Sequence, residues 1–328
     1  MNICFIGSLS HAFARRDYDI LNKYFNVNVI EPPKKTIDWI KYPHKVAKKV
    51  KECDIIFSWF AGWHSLFPTY YAKKYDKKTI VVIGGYDVAN VPEIGYGAFN
   101  NIKEKISSLY VLKNNQLLLA VSEFNKNEIM DKINHKNIKV IYNGVDTNKY
   151  KLSNKKKQDI VLTVSGIKKS NLDRKGLITF VKSAKLLPEL QFVIIGKTID
   201  NSVEYLKKIA PKNVNLIGFL SEKDLIKYYQ KAKVVCQLSY YESFGLAPAE
   251  AMACGCVPVI TNERIGVSEV INELGFFVKY GDHKQTAKKI KKAVQNSDKL
   301  QKKVEERIRK SCSLDLREEK LKNIILNV

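Results

Sequence analysis

The sequence predicts an α/β protein built from two doubly wound parallel-sheet domains. Three observations predict it. Short β-rich runs alternate with segments of helical spacing, the rhythm restarts after a polar stretch, and 328 residues are about twice the ~150-residue expectation for one domain.

In the first half the β-rich runs are Ile3 to Ile6, Val27 to Ile30, Asp54 to Trp59, Thr79 to Ile83, Leu117 to Val121 and Ile138 to Ile141. Segments such as the one holding Val46, Ala47 and Val50 lie between them with helical spacing, which implies right-handed βαβ crossovers and a parallel sheet. After the charged stretch Lys151 to Gln158, read as a linker, strands are expected at Ile160 to Val164, Phe192 to Ile195, Val214 to Ile217, Val234 to Leu238, Val257 to Ile260 and Phe276 to Val278. The expected domains are 1–152 and 153–328, with the last helix packing back on the first domain. Ligands of such sheets bind beyond the carboxyl ends of the strands, so two facing domains would enclose a cleft and place function in the loops after the strands. Toward the C-terminus, Ala287, Ile290, Val294, Val304 and Ile308 recur on a basic background, the pattern of amphipathic helices. Docking on the sheet is the plain explanation, and binding to a membrane surface the rival.

Composition narrows the function. With 45% hydrophobic residues, 9 prolines and 16 glycines the chain is that of a folded protein. A formal charge of +23 invites nucleic acid, an anionic membrane surface or negatively charged small molecules, but the lysine clusters at 45–51, 73–78, 155–157 and 288–303 form no nucleic-acid motif. Solvated helix faces explain them as well. Six cysteines lie in or beside apolar runs, as expected of reduced, packed thiols, and Cys254-Gly-Cys256 has no second pair at finger-like spacing, so no structural metal is expected. The first strand begins at Asn2 without a basic, apolar leader, and no apolar run approaches the ~20 residues that span a bilayer. A cytoplasmic protein, soluble or peripheral at the inner face of the membrane, is the expectation.

The most informative stretch runs from Ser239 to Gly255, directly after the strand ending at Leu238. It reads as strand, loop, helix. Gly245 allows close approach of backbone to a ligand, Pro248 suits a first helical turn, and the amides of residues 244–247 would face an anion. Glu242 in the loop and Glu250 in the helix could both reach a ligand at that helix start, where carboxylates accept sugar hydroxyls. The competing explanation is a solvated Glu242 and a helix-dipole role for Glu250.

Glu242-x7-Glu250 around Ser-Phe-Gly-Leu, followed by Ala251-Met-Ala-Cys-Gly255 and Val257-Pro-Val, resembles the signature of family 4 retaining glycosyltransferases (glycosyl transferases group 1) of the GT-B fold. Val140-Ile-Tyr-Asn-Gly-Val-Asp146, Arg174-Lys-Gly176, Ile217-Gly-Phe-Leu220 and Glu269 match in order. The resemblance covers nearly the whole chain and is strongest in the second half. It implies two facing Rossmann-like domains with an interdomain cleft, the first binding the acceptor and the second a nucleotide-diphosphate sugar. Glu250 would accept from the ribose, Glu242 would contact the donor sugar, and amides of Ser243, Phe244, Gly245 and Leu246 would meet sugar and diphosphate. Lys175, with Arg174, would neutralise the departing diphosphate, so no metal or other cofactor is required. Asp17-Tyr-Asp19, the one Asp-x-Asp spacing, reads as a solvated helix start.

Two departures from the family pattern stand out. Members commonly carry an arginine after the glycine that ends the first strand of the second domain, whereas this chain has Gly166-Ile167, leaving Lys168 or Lys169 to substitute as a point charge. Where many relatives have His-Gly-x-Asp, this chain has Gly84-Gly85-Tyr86-Asp87. Asp87 matches, and His64 is the remaining candidate for an acceptor-side polar group, against a purely structural role. The acceptor expected is a lipid-linked or cell-envelope glycan, with a soluble sugar phosphate as the alternative. A nucleotide-sugar epimerase and a basic nucleic-acid-binding protein are the rival functions, although no nucleic acid is expected as partner.

Overall fold

The structure, a computed structural model, describes residues 1–262 and 264–328. The chain divides into two units: unit 1 comprises 1–144 and 315–328, and unit 2 comprises 145–314. Unit 2 is thus an insertion within unit 1.

Unit 1 alternates β1 (Asn2–Ile6), α1 (Ala12–Tyr24), β2 (Asn26–Ile30), α2 (Asp38–Lys51), β3 (Ile55–Trp59), α3 (Trp63–Lys74), β4 (Lys78–Ile83), α4 (Ile102–Asn114), β5 (Leu117–Ala120), α5 (Glu123–Met130) and β6 (Ile138–Val140). Among the described residues the strands form one parallel sheet in the order β2-β1-β3-β4-β5-β6. Every residue of β3 and β5 is buried, as expected of parallel strands covered on both faces. Helices α2 and α4 pack on one face of this sheet, with Val46 and Val50 of α2 against Cys4 and Ile56, and Val111 and Leu112 of α4 against Val81 and Leu118.

Unit 2 repeats the plan with β7 (Gln158–Val164), α6 (Lys169–Arg174), α7 (Leu177–Ala184), β8 (Gln191–Ile195), α8 (Ser202–Ile209), β9 (Val214–Gly218), α9 (Glu222–Lys231), β10 (Ala232–Gln237), α10 (Leu246–Ala253), β11 (Val257–Thr261), α11 (Ser268–Ile271), β12 (Phe276–Val278) and α12 (His283–Cys312). Its sheet is parallel, in the order β12-β11-β10-β7-β8-β9. The β-rich runs of the sequence thus become strands, with ends moved by one or two residues. Two Rossmann-like domains result.

The long helix α12 is capped by Asp282, whose Oδ1 accepts from the Gln285 amide at 2.8 Å. Ala287, Ile290 and Ala293 enter the core of unit 2, and Val304 and Ile308 are also buried. This apolar stripe is therefore consumed by docking, as in the plain reading, and the exposed lysines at 288, 291, 292, 302 and 303 lie on the opposite side. Cys254 and Cys256 are buried free thiols, like the other four cysteines. Burial pushes the Cys254 and Cys256 thiols above the ordinary range, so they are protonated hydrophobes.

Two expectations are corrected. Lys157 is not a solvated linker lysine: it is 5% exposed, and its ammonium donates to the carbonyls of Tyr229 (3.0 Å), Gln230 (3.3 Å) and Ala232 (2.8 Å), closing the C-terminal end of α9. Asp17 is not a solvated helix start. It lies inside α1, is 0% exposed, and shares the buried face with Ala14, Ile20 and Leu21.

Its partner comes from the far end of the chain. The final helix, α13 (Leu314–Asn327), brings in Arg317, 2% exposed, which forms a two-pronged pair with Asp17 at 2.5 and 2.7 Å. The guanidinium also donates to the carbonyls of Ile141 (3.0 Å) and Tyr142 (2.8 Å), and its carbon lies 5.7 Å from the Trp59 ring centroid. Trp59 Nε1 donates to the same Asp17 carboxylate at 2.9 Å. Removing one partner of such a pair strands a buried charge. We expect Arg317→Met to destabilise unit 1 by about 3–5 kcal/mol in urea unfolding, and Asp17→Leu in the same chain to restore much of that loss. An additive double variant would show that the pair is not coupled.

Candidate active site

In unit 2 the chain winds outward in both directions from the β7/β10 pair, so the loops after these two strands diverge at a switch point of the sheet. They meet backbone to backbone. The Tyr240 amide donates to the Arg174 carbonyl at 2.8 Å, and Gly176 adopts φ +66° so close to Leu238 that a Cβ there would lie 2.1 Å from the Leu238 carbonyl oxygen. Only glycine satisfies both demands.

This contact sets the Lys175 ammonium on the Glu242 carboxylate as a partly buried ion pair. Gln237 Nε2 lies 3.5 Å from the same Glu242 oxygen and 2.5 Å from Ser239 Oγ. The Glu242 backbone is pinned on its other side, its amide donating to the Arg264 carbonyl (2.8 Å) and its carbonyl accepting from Gly266 (2.9 Å). Ser243 and Phe244 are buried next, and Phe244 O accepts from the Val267 amide at 2.6 Å. Gly245, at φ +95°, is the N-cap of α10, Leu246 its first residue, and Pro248 sits in its first turn. Glu250 lies further along α10, 7% exposed, near the Tyr229 hydroxyl, which burial and then the Glu250 charge push well above the ordinary tyrosine range. Both motif glutamates, Lys175 and the turn at Gly245 thus lie in the loops and helix that follow β7 and β10.

Arg174 and Lys168, the other two cations expected near the diphosphate, sit differently. Arg174 Nη2 donates to Asn171 Oδ1 at 2.8 Å within α6. Lys168, the N-cap of α6, stands beside Asp200, whose carboxyl is held below its usual value by Ser202, by the Lys169 amide and, least, by the Lys168 charge. Ile167 explains the missing arginine. It is 1% exposed, part of the unit 2 core, and bridged to Thr198 by backbone hydrogen bonds, so its side chain is committed to packing.

In unit 1 the loops after β3 and β4 enclose a pocket of about 360 Å³ lined by Phe60, Trp63, His64, Tyr86, Asp87 and Glu104, among others. Asp87 is buried beneath it. Its Oδ2 accepts from the Ala61 amide (2.9 Å) and its Oδ1 from the Gly85 amide (2.7 Å), which ties the two loops together. Burial pushes the Asp87 carboxyl up to about 6, against the pull of these amides. His64, in the first turn of α3, gives its Nε2 proton to the Trp59 carbonyl at 2.7 Å, since a carbonyl can only accept. Burial moves its pKa below the ordinary value, leaving a neutral ring.

Nothing in the sequence marks Phe60. It holds φ +69°, unusual for a bulky residue, and its ring fills the space over Gly84, where a Cβ would come within 2.0 Å of Phe60 Cε1. In this chain the Phe60 ring occupies the space that a side chain at position 84 would take. Gln237 was equally silent, being the last residue of β10, two positions before the Ser239 to Gly255 segment and outside it. After β1, the segment Gly7-Ser8-Leu9-Ser10 is a turn in which Ser8 Oγ and Ser10 Oγ lie 2.8 Å apart, and Glu31 Oε1 is 3.4 Å from the Leu9 amide.

The architecture has close counterparts. HepE of Anabaena, determined in complex with UDP and glucose, superposes with a TM-score of 0.81 at 17% identity, covering 100% of both chains. A chain of two such Rossmann-like domains has the GT-B fold of glycosyltransferases. Residues 144–311 match the family model described as glycosyl transferases group 1, and residues 6–149 match glycosyltransferase family 4. The chain belongs to the glycosyl transferases group 1 family. An uncharacterised glycosyltransferase of Methanocaldococcus jannaschii is 25% identical over 262 residues, 76% of this chain and 69% of that one. The capsular polysaccharide biosynthesis glycosyltransferase CapM of Staphylococcus aureus is 30% identical over 203 residues, 54% of this chain and 52% of that one.

Two outcomes test this geometry. Gly176→Ala should lower stability by more than about 1 kcal/mol in urea unfolding, because a left-handed backbone and a carbonyl collision are imposed together. An unchanged midpoint would show that the loops separate without cost. The Asp87 carboxyl carbon should titrate near pH 6 in the folded chain, against about 4 when unfolded. Because the folded form holds the proton more tightly, this group lowers stability as pH rises from about 4 to about 6, with no further loss above. Titration near 4 would mean that the amides outweigh burial.

Proposed function

We propose that this enzyme transfers a sugar, with retention of anomeric configuration, from a nucleotide-diphosphate sugar to a lipid-linked or cell-envelope glycan. The observation that carries this reading is the Lys175–Glu242 pair at the β7/β10 switch point, beside the glycine-capped start of α10. A cation and a carboxylate held together there are suited to divide a sugar diphosphate between them. Lys175 turns to the diphosphate and stabilises the charge that grows as the glycosidic bond breaks, and Glu242 accepts a hydroxyl of the sugar. Glu250 accepts from the ribose hydroxyls, and the amides of residues 243–246 meet the sugar and diphosphate. Arg174 and Lys168 add positive charge around the same phosphates. The leaving diphosphate takes the acceptor proton on the front face, so no protein nucleophile is needed. Unit 1 carries the acceptor, with His64 and Asp87 at its pocket.

The presence of UDP and glucose in the HepE crystal supports a nucleotide-sugar donor. The role of CapM in capsular polysaccharide biosynthesis supports a cell-envelope glycan as acceptor. No helix among the described residues is long and apolar enough to cross a membrane. We place the enzyme at the cytoplasmic face, held peripherally by its +23 charge and by Ile37 and Ile40, which are exposed among lysines 34, 35, 41 and 45. Catalysis proceeds without a metal ion.

The decisive experiment pairs nucleotide binding with turnover. One nucleoside diphosphate should stabilise the protein selectively, by about 2.7 kcal/mol at 100 times its dissociation constant. Glu250→Gln should weaken that stabilisation. Glu242→Gln should keep it and lower turnover about tenfold or more, and Lys175→Ala should lower turnover by about 10²–10³. Chelator should leave the rate unchanged. Full turnover in both glutamate variants, or an inverted anomeric configuration in the product, would overturn the reading.

A further inference from the structure

The unit 1 pocket has a chemical character opposed to that of the rest of the chain. Lysine and arginine total 56 against 33 acidic residues, yet among the described residues the pocket lining contains neither. Its carboxyl and imidazole groups are Glu104, Asp87 and the neutral His64, with the phenol of Tyr86 beside them.

Its side-chain protons are largely spent within the protein. Tyr86 Oη donates to Glu104 Oε2 at 2.9 Å, Ser108 Oγ to the Ala61 carbonyl at 2.6 Å, and Ser107 Oγ to the Glu104 carbonyl at 3.3 Å. His64 has given its Nε2 proton to Trp59, which leaves Nδ1 as an acceptor. What remains for a ligand is mostly acceptor capacity, on Glu104, on His64 Nδ1 and on the serine lone pairs, beside one side-chain donor, the indole N–H of Trp63. Around these acceptors stand the aromatic faces of Trp63, Tyr86 and the strained Phe60. A phosphate brings only more acceptors and negative charge. A neutral sugar ring brings hydroxyl donors and an apolar C–H face suited to aromatic surfaces. At about 360 Å³ the space falls at the small end of ligand pockets.

We infer that this pocket binds a neutral, unphosphorylated sugar ring of the acceptor, its hydroxyls donating to Glu104 and His64 Nδ1 and its apolar face resting on Trp63. The inference rests on the reading that unit 1 carries the acceptor, and it excludes a free sugar phosphate as that acceptor. Glu104, Tyr86 and Trp63 are then residues that set acceptor specificity.

The test is direct binding to the full chain by saturation-transfer NMR, using methyl glycosides of glucose, galactose, mannose and N-acetylglucosamine beside glucose 1-phosphate and glucose 6-phosphate. At least one neutral glycoside should bind, and each phosphate should bind about tenfold more weakly or not at all. Trp63→Ala and Glu104→Ala should each weaken the neutral glycoside about tenfold or more, while stabilisation by the nucleoside diphosphate stays at the wild-type level. Glu104→Lys should shift preference toward the phosphates. The inference fails if a hexose phosphate binds the wild type as tightly as the best neutral glycoside, if the variants bind it undiminished, or if no glycoside binds. Failure with nucleotide stabilisation intact removes this inference alone, whereas absence of any nucleotide stabilisation removes the reading beneath it.

Discussion

Arg317 is the contact on which unit 1 closes. One guanidinium joins α1 through Asp17, the chain just beyond β6 through the Ile141 and Tyr142 carbonyls, and the end of β3 through the Trp59 ring. Its five donors in a fixed fork explain why arginine rather than lysine serves here. Because its ion-pair partner is 300 residues away in sequence, the pairing cannot form until unit 2 has been synthesised. The two crossings between units are kept adjacent by the bridge of Val145 to Ser313, with the Val145 amide donating to Cys312 and the Leu314 amide to Val145. The Asn-Gly-Val-Asp segment owes much of its form to this pairing, since Asp146 also caps the following turn through the amides of Asn148 and Lys149.

Trp59 links that closure to the unit 1 pocket. It ends β3, is fixed by Asp17, and its carbonyl takes the His64 proton, while the next residue is the strained Phe60. The geometry of the unit 1 pocket is therefore anchored by a buried charge pair outside its lining. Unit 2 uses another device for the same end: a glycine without room for a methyl group draws two loops together, and the charges of Lys175 and Glu242 follow from the backbone.

How much of this was legible in the sequence depended on the range of the interaction. Strands written as short apolar runs and the Glu242 to Gly255 segment are local patterns, and the structure places them as read. Asp17 was misread because acidic residues on helices are usually solvated. Its spacing of three and four from Ala14 and Leu21 did carry the signal that it lies on the buried face. Lys157 was hidden inside a lysine-rich stretch, where only tertiary structure distinguishes the one ammonium that meets three carbonyls. Phe60 and Glu104 had no pattern at all, because the pocket is made by loops from separate strands and helices.

The overlap of Phe60 with position 84 has a consequence for how such sequences change. Residues 60 and 84 share one volume, so they constitute a single evolutionary variable rather than two. A side chain at 84 requires the Phe60 ring to move, and a smaller residue at 60 leaves a void that a side chain at 84 can fill. Changes at the two positions should therefore be coupled, and a graft of this loop into a relative should carry both together.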